Sequence, residues 1–428
     1  MKKFLGIVLA LALLLSCMAL PALAEVPLQL TMYFPVNVGG DAAKLIDQMT
    51  ADFNAENPDI QVQSVYTGNY DDTVTAIQTA IQGGNAPDLF VSLATQRFTM
   101  ADTKMAMPLD DLIAADPEGQ AFIDDFIDGF MLDSYVDGSI YSIPFQRSTM
   151  VMFYNKDAFA EVGLDPEAPP KNWDEMVEYA QKLTNENRYG VGIALNSGSA
   201  QWAFTGFSLQ NCTNGVGLMS ADGKEVYFNT PENIEALQLW LDLQNKYKCM
   251  APGIVQWTDL PTQFLAGEVA MIYHTTGNLT NIKNNATFDF GVCFLPAGRQ
   301  YGAPTGGGNF YITNGISEER QKAAWEFIKF CCSTERAAQW SIDTGYVATR
   351  ESCYETQLLK DYYESFPEAL VAYQQLPYAQ PELTTYSAAE MWRILNDNIQ
   401  ATVTGEMTAA EALEAAQQQG DDLLFDYQ

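Results

Sequence analysis

Leu28, Leu30, Met32 and Phe34 alternate with Gln29, Thr31 and Tyr33, the two-residue period of a strand with one buried face. From Asp41 to Asn57 the period lengthens, and Ala42, Leu45, Ile46, Met49 and Phe53 fall on one helical face. Asn57-Pro58 should stop that helix, because the residue before proline is biased away from helical backbone. Ile60 to Tyr66 alternates again as a second strand. A second helix is expected from Asp71, with Val74, Ile77 and Ile81 inward and Gly83-Gly84 at its end, then a short strand at Leu89 to Val91. Strand, helix, strand, helix, strand predicts a parallel sheet covered by helices.

Further helix starts are well marked. Asn172 with Glu175 three residues on has the capping-box spacing. Thr230-Pro231 places a cap before proline at the first helical position. Ser317 opens a helix carrying Ala324, Phe327 and Ile328, and Thr408 with Glu411 opens the last. Strand-like runs lie at Val151 to Tyr154, Val269 to Tyr273, Phe288 to Phe294 and Phe310 to Thr313. There is no repeat of 20–50 residues, and no Pro/Gly/Ser linker divides the chain. An α/β chain of 428 residues without a linker forms one large sheet or passes several times between two lobes. Ser139 to Phe145 and Pro296 to Gly306 are the best crossing candidates.

Charge and composition narrow the function. A net charge of −32 argues against binding a nucleic-acid backbone, which needs a basic surface. A single His, His274, excludes His-rich metal sites. The first residues carry Lys2 and Lys3, an apolar run from Phe4 to Leu15 and a small-residue exit, the layout of a secretory leader. Ala22-Leu23-Ala24 offers cleavage before Glu25, whereas Leu14-Leu15-Ser16-Cys17 resembles a lipobox that would leave a lipidated Cys17. The apolar stretch Met18 to Leu23 is unlike a flexible tether and favours cleavage after Ala24. Either way the body is exported, to the periplasm or the cell surface. Cys212, Cys249, Cys293, Cys331, Cys332 and Cys353 lack metal-ligand spacing and read as buried small hydrophobes rather than a disulfide framework.

Enzyme signatures are weak. No G-x-S-x-G elbow, H-E-x-x-H or Walker A sequence occurs, and Gly306-Gly307-Gly308 lacks the lysine of a phosphate loop. Acidic pairs such as Asp71-Asp72 and Asp124-Asp125 read as solvated surface in so acidic a chain. His274, at a strand end, reads as structural more readily than as a ligand. More telling are hydrogen-bonding clusters at element ends: Gly68-Asn69-Tyr70, Gln146-Arg147-Ser148-Thr149, Thr276-Gly277-Asn278, Gly306 to Asn309, Thr344-Gly345-Tyr346 and Trp392-Arg393. Backbone N–H groups, hydroxyls and a guanidinium fork of this kind can close on a small polar solute.

Phe53-Asn54-Ala55-Glu56-Asn57-Pro58, Gly84-Asn85-Ala86-Pro87, Tyr154-Asn155-Lys156-Asp157-Ala158-Phe159 and Gly163-Leu164-Asp165-Pro166, in that order, resemble the extracellular solute-binding proteins of ABC transporters. The group is the one that includes maltose-binding protein. Gly68-Asn69-Tyr70, Thr344-Gly345-Tyr346 and the late arginine are similar to its glycerol-phosphate-binding branch. The resemblance implies a two-lobed α/β fold of the type II periplasmic-binding kind, with ligand between lobes and closure by hinge bending. It implies a leader over 1–24, an N-terminal lobe from 25–140 and 303–332, and a C-terminal lobe from 141–302 and 333–428. It places Tyr70, Ser148, Gly307, Tyr346 and Arg393 at the ligand, with Arg393 and backbone near Gly307 on phosphate oxygens. Arg147, Asn278 and Trp202 complete the candidate set. The implied partners are a small, phosphorylated solute and membrane permease subunits, for a monomer that needs no metal or cofactor and catalyses nothing.

The chain departs from that pattern in places. Ala94 stands where the resemblance implies a ligand-binding Glu, and Asn196 to Trp202 replaces a Trp-rich segment with one that keeps a single Trp. Arg147 beside Ser148 suggests a wider, more cationic pocket, suited to a glycerophosphodiester or another phosphorylated or acidic polyol, and the expected solute is glycerol 3-phosphate or a glycerophosphodiester. A sugar binder using Trp202, Trp257 and Tyr273 as stacking platforms is the alternative, and a secreted hydrolase the remote one.

Overall fold

The computed structural model describes residues 26–428 except 37, 39, 40 and 197. The leader, with its two exits at Ala24 and Cys17, lies outside the described residues. In chain order the main strands are β1 (Leu28–Phe34), β2 (Ile60–Tyr66), β3 (Leu89–Leu93), β4 (Ile143–Asn155), β5 (Tyr189–Gly192), β6 (Val269–Thr275), β7 (Phe290–Cys293), β8 (Ala303–Ile312) and β9 (Ala379–Gln380). The helices that matter for the site are α1 (Ala42–Glu56), α2 (Tyr70–Gln82), α3 (Trp173–Leu183), α4 (Ala200–Asn211), α5 (Pro231–Asn245), α6 (Glu318–Cys331), α7 (Thr334–Thr344), α8 (Ala388–Val403) and α9 (Ala409–Leu424). The capping logic holds: Asn172, Thr230, Ser317 and Thr408 each accept from the backbone N–H three residues on. At Asn172 the box stays half closed, because the Glu175 carboxylate accepts from Lys171 N instead.

The strands run β2-β1-β3-β8-β4-β6-β5, with β7 beside β4 and β9 beside β8. β1 pairs in parallel with β2 and β3, as the alternation of strand and helix predicts. β8 then enters antiparallel between β3 and β4. Among the described residues, the two largest apolar cores pack on this sheet. The first gathers Leu30, Met32, Phe53, Val91, Ile143, Phe145, Phe310, Phe327 and Trp340. The second gathers Met150, Met152, Phe204, Phe207, Trp240, Tyr273, Leu395 and Leu413. β4 and β8 belong to both, since Ile143 and Phe310 lie in the first, and Met152 and Ala303 in the second.

The two expected crossing stretches, 139–145 and 296–306, lead into the long strands β4 and β8, which make the crossing. β4 runs through Gln146-Arg147-Ser148-Thr149, and all of its residues are buried. A strand buried on both faces has no alternation to reveal it, so only its apolar end was visible. The first core also extends further along the chain than 303–332, because Trp340 and Tyr346 pack into it. Five of the six described cysteines are buried, all six are free thiols, and Cys293 is half-buried. No helix among the described residues is long and apolar enough to cross a membrane.

Candidate functional site

Between the two cores lies a cleft of about 290 Å³, bordered by Tyr70, Ser148, Gly307 and Tyr346 together with Gln201, Trp202, Trp257, Glu382 and Trp392. Its walls follow from local sequence. Tyr70 opens α2, where the Asn69 side chain accepts from Asp72 N at 2.9 Å and Asp72 returns the bond. Tyr346 follows the left-handed cap Gly345, where a Cβ would stand 2.6 Å from Thr276 O. Glycine is thus required for the turn that carries Tyr346 inward.

The floor is the β4–β8 pair. Register sets Gly306 opposite Ser148 and Gly308 opposite Gln146, so these four share one face. Trp202 lies over Gly306, where a Cβ would come within 2.6 Å of its ring, and the Tyr70 hydroxyl lies 3.0 Å from a Cβ built at Gly308. Tyr70 also donates to Gln146 Oε1 at 3.1 Å. Gly307 has φ +90°, and a Cβ there would meet Gln146 O at 1.8 Å. The glycine cluster exists so that two aromatic side chains can lie directly on the strand.

Arg147, in contrast, faces the other way. Strand neighbours point to opposite faces, so Arg147 and Ser148 cannot both meet one ligand. The Arg147 side chain is 0% exposed and bonds Asp133 at 2.6 Å. It also donates to Asn309 Oδ1 at 3.1 Å, and Asp133 binds Arg97 at 2.8 Å. The expected cationic widening of the pocket is therefore absent. Arg393 is likewise misplaced: its side chain is 55% exposed and pairs with Glu390 and Asp397 one turn away on α8. Successive helix positions lie 100° apart, and the residue that turns into the cleft is Trp392. Asn278 sits behind the wall, donating to His274 Nδ1 at 3.0 Å. His274 stacks on Trp257 at 3.7 Å, and burial pushes its pKa down to about 3, so it is a neutral structural residue. Tyr273 is buried in the second core with its hydroxyl on Met176 Sδ, away from the cleft.

Among the described residues, no side chain bordering the cleft is Lys, Arg or His. Its ionisable groups are acids and phenols. Burial raises the Glu382 carboxyl to about 8, Asp133 adds to this, and the Gln201 amide and Arg147 oppose it. Burial holds the Tyr70 and Tyr346 phenols protonated. Gln201 and Glu382 were missed as site residues, and of the Trp392-Arg393 pair it is Trp392 that reaches the cleft. Gln201 adjoins the named Trp202, but Glu382 lies in an irregular stretch with no signature. Ala94 is buried and does not border the cleft, whose carboxyls are those of Asp71 and Glu382.

Residues 48–367 match the family of bacterial extracellular solute-binding proteins, and the chain belongs to it. The sn-glycerol-3-phosphate-binding periplasmic protein UgpB of Pectobacterium atrosepticum is 30% identical over 90% of this chain and 89% of its own. Its counterpart in Escherichia coli K12 is 29% identical over 92% of both chains. Among solved structures, UgpB from Mycobacterium tuberculosis in complex with glycerophosphocholine superposes with a TM-score of 0.80 at 24% identity, covering 94% of this chain and 99% of that one. The GacH receptor of Streptomyces glaucescens superposes at 0.81 with 20% identity, covering 94% and 100%. The fold is the two-lobed one of these proteins. The chain is the exported, substrate-binding part of an ABC importer, which takes a small polar solute and works with membrane permease subunits.

Proposed function

We propose that the cleft captures a glycerophosphodiester in preference to free glycerol 3-phosphate, and releases it unchanged to the permease. The observation that carries this reading is a cleft bordered by the Ser148 and Tyr346 hydroxyls and the Gly307 backbone and, among the described residues, by no cationic side chain. A phosphomonoester carries a charge near −1.5 to −2 at pH 7. A diester carries one negative charge, and each buried charge without a counter-ion is costly. Relatives named for glycerol 3-phosphate support the glycerol-phosphate core of the ligand.

The protein acts as a monomer with two lobes divided near the β4 and β8 crossings, released by cleavage after Ala24 rather than anchored by lipid at Cys17. Calorimetric titration of ligand-stripped protein with glycerophosphoglycerol, glycerol 3-phosphate and maltose tests the ligand. Tighter binding of the monoester than of any diester sinks the preference. A carbohydrate is the second reading, favoured by Trp202 and Trp257 with rings 5.4 Å apart beside Trp392. Maltose binding without diester binding would establish it.

A further inference from the structure

One part of the cleft offers acceptors and aromatic faces. Gln201 is 1% exposed, and its backbone N–H donates to Asn396 Oδ1 at 2.9 Å, which fixes the residue. Its Nε2 donates to Gly198 O and to Glu382 Oε1, each at 3.3 Å. Its Oε1 is buried with no partner. A buried acceptor left unpaired is destabilising, and its natural remedy here is a donor on the ligand. Glu382 is 5% exposed beside it, and Arg147, the cation that influences it, is already held by Asp133.

Two of the three surrounding indoles have their N–H groups engaged by backbone. Trp202 Nε1 donates to Thr305 O at 3.0 Å and Trp392 Nε1 to Leu383 O at 2.7 Å. What remains is their π surface, which attracts cations. Two oxygen acceptors, one of them a carboxyl, set among Trp202, Trp257 and Trp392 form a site for a positively charged group that carries N–H bonds.

We propose that Gln201 and Glu382 select a protonated primary amine, so that the ligand class is a glycerophosphodiester whose head group ends in a primary ammonium. The inference rests on the proposed diester function and names its head group. A quaternary ammonium would suit the indoles but cannot satisfy Gln201 Oε1, because it has no N–H.

The test is calorimetry with the full mature chain at pH 8.5 on three diesters: glycerophosphoethanolamine, its N-methylated relative glycerophosphocholine, and glycerophosphoglycerol. Glycerophosphoethanolamine should bind on the order of tenfold tighter than either of the others. In Glu382→Gln the preference for the amine over the hydroxyl head group should collapse. Diesters that bind within about twofold of one another overturn the head-group assignment and leave the diester function intact. Absence of binding by all three overturns both. If Glu382→Gln does not fold, the N-methylation comparison on the unaltered chain still decides.

Discussion

The two faces of the β4–β8 pair carry polar groups of the same kinds and treat them oppositely. On the sealed face Asp133 joins Arg97, Arg147 and Thr305, and Asn309 bonds Arg147 and Ser142. On the cleft face Gln201 Oε1 is unpaired and Glu382 has only a long amide contact. The guanidinium that seemed ready for a ligand is fastened into the scaffold, and the groups that await a ligand are acids and amides. The sealed face is paired except at Arg147 Nε and holds the fold together, whereas on the cleft face Gln201 Oε1 is left open beside the space a ligand would enter.

The largest way to break this contrast is to unpair the sealed face. Arg147→Ala leaves Asp133 with one arginine, and loss of a partner from a buried ion pair costs about 3–5 kcal/mol. Chemical denaturation should show that loss, and a stability change below about 1 kcal/mol would show that Arg147 is not the fastening it is described as here.

Next comes proton linkage at Glu382. Folding holds its pKa near 8, above the ordinary glutamate value near ~4.3. Between those values the folded state binds more protons than the unfolded one, so stability falls as pH rises from about 4.5 through about 8. The effect is on the order of a few kcal/mol, and Glu382→Gln should flatten it in the ligand-free protein. Parallel pH profiles of the two proteins would contradict the burial of that charge.

Gly306→Ala is expected to weaken ligand binding on the order of tenfold by displacing Trp202 from the strand, with a smaller effect on folding. Unaltered affinity would mean the ring is not held by that glycine. Smallest is Arg393→Ala. Its ion pairs are exposed and solvent-screened, so titration calorimetry should find affinity unchanged. A loss of binding would return Arg393 to the site.

Much of the fold was legible because its signals are local. The alternation of β1, the stripe of α1 and the caps at Thr230 and Thr408 each need only a few neighbouring residues. β4 was legible only at its apolar end, because its buried polar centre resembles a loop. At the site, Tyr70, Ser148, Gly307, Tyr346 and Trp202 border one cleft. Arg147 and Arg393 were one residue out of phase with Ser148 and Trp392, an error that strand and helix periods could have exposed. Glu382 reaches the cleft from a segment remote in sequence, and no local pattern encodes that arrival.

Three of the chain's seven tryptophans meet at the same small space. Indole emission is sensitive to the polarity and charge around the ring, so the arrival of a guest beside Trp202, Trp257 and Trp392 should alter the protein's own fluorescence. The molecule carries its own optical gauge of occupancy, readable in solution without any added label.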